Sequence, residues 1–482
     1  MIKNKKVHIA KLFWKITFKN KAVYILTFIV GILLAYAVFS GWENFKTQKE
    51  IRIKYQEQAR QDWLDNPDKH PHRMAHYGHY AFRPKTPLSV FDFGMESFLG
   101  SSIFLEAHVQ NPTNFSEAEF STGMLRFGEI SIAMILQILL PLLIFFLGFQ
   151  SIASERENGT LKILMSQGLS RKELLEGKSL GMILVMSTLY FPIIIITVFL
   201  WALLQEVNIS TDQVYRLLLI VVMYFVYLSV FCIISVIISA LSKTSKTALT
   251  SSIGVWLLLT ILLPRAGQSL GSYLYQSPSK AKFNAQIEND VVKTGDSHNP
   301  DDTHYQALKD SILEVYDVDS VTQLPFNYSG LVMKEGEKIT AEIHNDHLKR
   351  LRGIYARQNS FSRYLAFIDP YMGIKNLSMA LTGTDYNSFM DFQDQAEQYR
   401  YHLAQSLNDL QIKHVSNSAK SSADPDYALD KKHWGMIEDF KYQPLQIGMA
   451  LRSELISFLS LLFWVLLLVL TLNRLSKTIK IL

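Results

Sequence analysis

Six stretches of this 482-residue chain are long and apolar enough to cross a lipid bilayer, and that removes most of the folds otherwise open to it. A hydrocarbon layer about 30 Å thick offers backbone polar groups no partner but one another, so each crossing takes a helix of roughly 20 apolar residues. The stretches are Ala22 to Ser40, Ile130 to Ala153, Ser179 to Leu204, Leu217 to Leu241, Thr247 to Pro264 and Leu455 to Leu472. Only Ser242 to Lys246 separates the fourth from the fifth, which predicts a tight antiparallel hairpin. With 49% of residues hydrophobic and only 19% charged, the composition agrees. The expectation is an all-α membrane protein, six transmembrane helices with a mostly helical extracytoplasmic domain.

Basic residues orient it. Lys3, Lys5, Lys6, Lys11, Lys15, Lys19 and Lys21 precede the first span; Arg156, Lys162, Arg171, Lys172 and Lys178 follow the second; Arg474, Lys477 and Lys480 end the chain. Positively charged loops stay in the cytoplasm, so both termini are expected inside a bacterial inner membrane. The third-to-fourth loop, with Glu206 and Asp212 and no basic residue, falls outside. Residues 1–21 predict an amphipathic helix along the inner leaflet, because Lys11, Lys15 and Lys19 repeat opposite Leu12, Phe13, Trp14, Ile16 and Phe18. The first span reads as an uncleaved signal anchor. Two regions are then extracytoplasmic, 41–129 and the larger 265–453, before span six at 454–472 and a cytoplasmic tail at 473–482. Apolar spacing in Lys334 to Tyr364 and Tyr386 to Leu410 predicts helices. Asp369-Pro370 and Gly383-Thr384-Asp385 punctuate them, with Thr384 or Asp385 suited to cap the next helix.

The loop at 154–178 carries the strongest signal. It reads Ser154-Glu155-Arg156-Glu157-Asn158-Gly159-Thr160-Leu161, then Ser170-Arg171, then Gly177-Lys178. In that order and spacing it resembles the Glu-x-Glu-x-Gly-Thr-Leu coupling loop of ABC type-2 permeases. Pro87-Leu88-Ser89, Phe104-Leu105-Glu106-Ala107-His108, Arg126-Phe127-Gly128-Glu129 and Leu377-Ser378-Met379-Ala380-Leu381 resemble a bacterial subgroup of these permeases with two large periplasmic domains. The resemblance implies the permease subunit of an ATP-driven exporter, acting as a dimer with a second copy or a related permease. Glu155, Arg156, Glu157, Gly159, Thr160, Leu161, Ser170, Arg171, Gly177 and Lys178 would couple it to a separate ABC ATPase subunit. The residues suit a lever: a charged helix end to pair with a partner's groove, a glycine turn, and an apolar face at Leu161, Ile163 and Leu164 to dock.

This chain holds no ATP site. Gly177-Lys178-Ser179 resembles the end of a phosphate loop, but Lys172 stands where its first glycine belongs. ATP and magnesium are therefore expected on the partner subunit, and no catalytic residue or cofactor here. Cys232 is the lone cysteine, so neither an intrachain disulfide nor a cysteine metal cage can form. His70, His72, Met74, His76 and His79 gather soft ligands that could hold copper or zinc outside the membrane, although their spacing matches no defined metal motif and a surface loop or packed aromatic turn is the plainer role. Gln137, Tyr190, Tyr224 and Tyr227 are the polar residues within spans that a substrate path or dimer interface would use, helix packing being the plainer role. Expected partners are the ATPase, a permease copy, the lipid membrane and a periplasmic protein; nothing suggests nucleic acid. The alternative function is mechanotransmission, in which the periplasmic domain moves and no solute crosses.

Overall fold

The structure is a computed structural model describing residues 5–478 except 97, 112, 115–129, 206–208, 300, 420, 422–423 and 425. Arg126 to Glu129, Glu206, Lys3 and Lys480 lie outside the described residues. Six helices have span-like length and composition: α2 (Lys21–Leu64), α4 (Ile132–Glu157), α6 (Arg171–Leu204), α7 (Thr211–Leu241), α8 (Ser245–Leu274) and α15 (Leu455–Thr478). The chain is an all-α multi-pass membrane protein with one small sheet.

The helices α4 and α7 form the centre of the bundle. Ile135, Leu136 and Ile144 of α4 and Tyr224, Leu228, Phe231 and Val236 of α7 have no exposure, whereas α2 presents Phe28 and Phe39 outward. Where α7 crosses α4, a Cβ on Gly148 would lie 2.2 Å from Ser235 Oγ, so any side chain there would force Ser235 to move. Two prolines shape the spans. Pro141 and Pro264 each follow a π-helical turn, Ile135–Leu139 and Leu258–Leu262. A proline lacks the backbone donor and crowds the carbonyl four residues back, so the ladder widens locally. The fifth span is thereby longer than predicted: instead of stopping at Pro264, the helix runs on to Leu274.

The bundle has two distinct ends. At one, the segment starting at Lys5, the 157–171 connection, the α7–α8 hairpin and the end of α15 meet; Lys5 Nζ donates to Gly168 O and Arg171 Nη1 to Lys477 O. Helix α1 (Lys5–Thr17) packs along the first half of α6. Gly177 faces Ile9 and the Lys6 backbone, and Gly181 faces Phe13 and the Ala10 backbone; a Cβ would come within 2.8 Å of the Ile9 side chain at the first and 2.9 Å of the Phe13 side chain at the second. Trp14 Nε1 then donates to Thr188 Oγ1 at 2.9 Å. The buried face of α1 is thus covered by α6, while Lys11, Lys15 and Lys19 stay exposed.

The other end carries one body built from both predicted outer regions. Helix α2 passes Gly41 unbroken and extends to Leu64, because nothing in that polar stretch breaks a helix; polarity, not the backbone, changes at residue 41. After α3 (Pro71–Tyr77), strands β1 (His79–Phe82), β2 (Ser102–Leu105) and β3 (Thr113–Asn114) form an antiparallel sheet in that order, with His79 opposite Leu105 and Ser102 opposite Asn114. The second region supplies α9 (Lys280–Thr294), α10 (Thr303–Tyr316), α11 (Tyr328–Leu365), α12 (Pro370–Thr382), α13 (Tyr386–His414) and α14 (Ile447–Ser453). The two regions share their cores. Trp63 packs with Met74, Leu403, Leu407 and Trp434, and donates from Nε1 to Trp434 O at 3.0 Å. Ala81, Ile103 and Leu105 of the sheet pack on Phe392 and Ala396 of α13. The separate domains expected at 41–129 and 265–453 are therefore interleaved.

Helix α12 is wedged against α7 and α15. Asp369 Oδ1 caps it at Tyr371 N, Pro370 opens it, and Gly383 closes it at φ 75°. Arg216 of α7 caps its far end, donating from Nη1 to Ala380 O and Leu381 O. Arg216 and Glu454 both sit near span ends and both are buried. Glu454 is buried and accepts from Arg363 Nε at 2.7 Å.

Candidate functional site

Near its end α4 breaks at Phe149, and Ser239 of α7 fills the break. Its hydroxyl donates to Phe149 O and accepts from Ile152 N and Ala153 N, each at 3.0 Å. The final turns, Gln150–Glu157, are thus fastened to α7. Gly159 then turns the chain at φ 74°, a left-handed conformation that side chains other than glycine's resist. The short α5 (Thr160–Ser166) follows, Gly168 makes a second left-handed turn, and Ser170 opens α6 through a capping box with Glu173.

The charged residues expected to reach a partner's groove have internal partners here. Lys178 Nζ bonds to Glu155 Oε1 at 2.5 Å, joining the end of α4 to the start of α6. Arg156 donates to Ser242 O and, at 2.8 Å, to Ala240 O. Glu157 accepts the Ser245 backbone N–H at 3.0 Å. The α7–α8 hairpin leaves those groups unpaired by helix bonding, and folding back beneath α4 it places them against Arg156 and Glu157. The predicted docking face also divides: Leu161 is 4% exposed and belongs to the core, Leu164 is half-buried, and Ile163 is 57% exposed. Thr160, Lys162, Ile163, Ser166 and Gln167 face outward here, as do the predicted coupling residues Glu157 and Ser170. Thr160 Oγ1 itself donates to Glu155 O. Gly177 is buried beneath Ile9, and Arg171 is half-buried.

The four polar span residues lie inside the chain's own core. Tyr190 OH donates to Val221 O at 2.6 Å, and Tyr227 OH to Gln137 O at 2.6 Å. Gln137 Nε2 donates to Tyr224 OH, which bonds Ser378 Oγ of α12 at 2.7 Å; Ser378 in turn donates to Asp92 Oδ2. Burial raises the Asp92 carboxyl above the ordinary range, against hydrogen bonds from Ser378 and Gly94. This network ties the bundle centre to the outer body.

Of the five predicted metal ligands, only His72 and His76 face one another, Nε2 to Nε2 at 3.2 Å. His70 caps α3 by accepting from His72 N. Met74 has no exposure and packs under Trp63, because its position on α3 points into the core. His79 pairs with Asp439 at 3.1 Å.

Residues 104–281 match a family model described as ABC-2 family transporter protein. Residues 280–443 match a second, described as Domain of unknown function (DUF3526). No curated protein matches the chain.

Proposed function

We propose, on the premise that residues 104–281 belong to the ABC-2 family of transporter proteins, that this chain is the permease half of an exporter driven by a separate ATPase. Membership implies an ABC ATPase partner and a membrane. The further steps are our reading: the loop end faces the cytoplasm of a bacterial inner membrane, two permeases pair, and the outer body is periplasmic. The basic residues gathered at the loop end support that orientation.

The single observation that carries coupling is the fastening of the 154–178 loop to three spans at once. Glu155 ties it to α6, Arg156 to the end of α7, and Glu157 to the start of α8. A motor engaging exposed Lys162, Ile163 and Gln167 would not bend a slack connection. Its push would reach α4, α6, α7 and α8 together, and rigid-body tilting of spans is how such closure is transmitted. The family's acidic residues thus make the lever stiff, while α5 is its contact face.

Assembled with its ATPase, the permease is expected to change the hydrolysis rate. Replacing Glu155 and Glu157 by alanine should reduce that response severalfold while the complex still forms; an unchanged rate removes the coupling role. Mechanotransmission is a second reading, favoured by the closed packing of Tyr190, Tyr224 and Tyr227 within the protomer. It predicts ATP-dependent movement of the outer body in vesicles across which no solute moves.

A further inference from the structure

Four histidines from three separate stretches of chain meet in the outer body. His72 and His76 stand one turn apart on α3. His108 follows β2, at φ 64°, and His298 lies in the connection between α9 and α10. One nitrogen from each falls within 4.8 Å of the other three. Four imidazoles around one ion at about 2.0–2.1 Å in tetrahedral geometry hold their nitrogens about 3.3 Å apart. The His72–His76 pair already stands at that separation, at 3.2 Å.

Ring packing alone accounts for part of this. His72 and His76 meet edge to face, as do His108 and His298. Packing leaves a polar atom unexplained, however: His108 Nε2 is buried without a hydrogen-bond partner. A buried nitrogen without a partner costs about 1–3 kcal/mol, which a ligand at this point would offset. His108 also has the support a ligating imidazole needs. Glu337 Oε2 stands 3.2 Å from its Nδ1, at ion-pair distance without hydrogen-bond alignment, and accepts its backbone N–H, while Arg400 holds Glu337 from the other side at 2.7 Å. A carboxylate behind a ligating ring fixes its orientation and raises its basicity.

We propose that His72, His76, His108 and His298 bind a single divalent transition-metal ion that prefers imidazole, of the zinc or copper class. Hard ions such as magnesium are excluded, because they take oxygen ligands. Bound there, the ion would also act mechanically. His298 belongs to the α9–α10 arm, and that arm walls a cavity of about 910 Å³ lined further by Phe104, Phe283, His344, Glu397 and Arg400. Coordination would pin the arm to α3 and to the end of β2, holding the cavity wall in place.

The test uses the full-length chain in detergent, purified through a tag free of histidine and stripped with chelator. Zinc, copper and magnesium salts are added separately, and bound metal per chain is measured alongside proteolysis between residues 295 and 302. We expect a single zinc or copper ion per chain, no magnesium, and slower cleavage of the arm once the ion is bound. His76→Ala with His298→Ala removes two exposed ligands and should weaken binding at least tenfold, while His402→Ala, an exposed histidine elsewhere, should not. The proposal is overturned if the unaltered chain takes up neither zinc nor copper, or if the double variant binds as tightly. Metal binding with unchanged cleavage would overturn the pinning of the arm.

Discussion

Pro141 takes a donor out of α4, and the carbonyl left behind, that of Gln137, receives its hydrogen bond from Tyr227 on the neighbouring helix. A buried acceptor stripped of its partner costs about 1–3 kcal/mol. Tyr227→Phe should therefore lower stability by that order, read as a lower thermal midpoint in detergent, while Tyr215→Phe, an exposed position on the same helix, should not. His344 offers a different measurement. Burial first, then the nearby Arg400 and His347, lower its pKa to about 4 from 6.5. Between those values the unfolded chain binds more protons than the folded one, so stability falls as pH drops from 6.5 towards 4. Thermal midpoints measured across that window should fall less steeply for His344→Asn than for the unaltered chain. Neither role shows in the sequence, because Gln137 is distant from Tyr227, and the burial and Arg400 that act on His344 come from other parts of the chain. A tyrosine in a span announces burial, and only the fold says which orphaned carbonyl it serves.

Helix α1 depends on two glycines of α6 for its seat. A Cβ at Gly181 would stand 2.9 Å from Phe13 Cβ and 3.2 Å from Ala10 Cα, where backbone cannot give way. Overpacking of this kind typically costs about 1–3 kcal/mol. Gly181→Val should free α1, read out as faster tryptic cleavage at Lys11 and Lys15; if cleavage is unchanged, α1 is held by something else. At this scale the sequence was largely readable where the signals are local. Hydropathy located all six spans, though not the helix ends of the first, third and fifth, and Asp369, Pro370, Gly383 and Asp385 mark helix ends in the second outer region because caps and turns act over three or four residues. Asp385, the second of the two capping candidates, makes the cap, to Asn387 N and Ser388 N. The internal pairing of Glu155, Arg156 and Glu157 was not readable. For Arg156 and Glu157 it depends on where the α7–α8 hairpin lands after folding, 86 and 88 residues further along, and for Glu155 on how α6 folds back to bring Lys178 beside it.

The whole molecule is two layers joined by shared cores. Bundle and outer body meet through α12, with Arg216 capping its last turn and the Asp92, Ser378, Tyr224 and Gln137 network crossing the seam. The outer body in turn needs both of its chain segments, since Trp63 from the first is buried among Leu403, Leu407 and Trp434 of the second. Truncating a buried tryptophan costs about 3–5 kcal/mol. Trp63→Ala should then lower the unfolding transition of both segments together, as reported by hydrogen exchange in α3 and α13. Loss confined to α3 would mean that the two segments fold independently. The histidine cluster belongs to this scale as well. His72 and His76 were visible as members of one histidine-rich stretch, whereas His108 and His298 join them only after sheet and arm are assembled.

Trp63 and the carbonyl it bonds are separated by 371 residues of chain. A ribosome delivers them far apart in time, and four more crossings must be threaded between. The first outer segment therefore emerges with its largest aromatic side chain uncovered and stays so until residue 434 has been made and brought beside it. Completion of this protein is decided late in its synthesis, and a nascent chain halted before that point would offer quality-control proteases an apolar target that the finished molecule conceals.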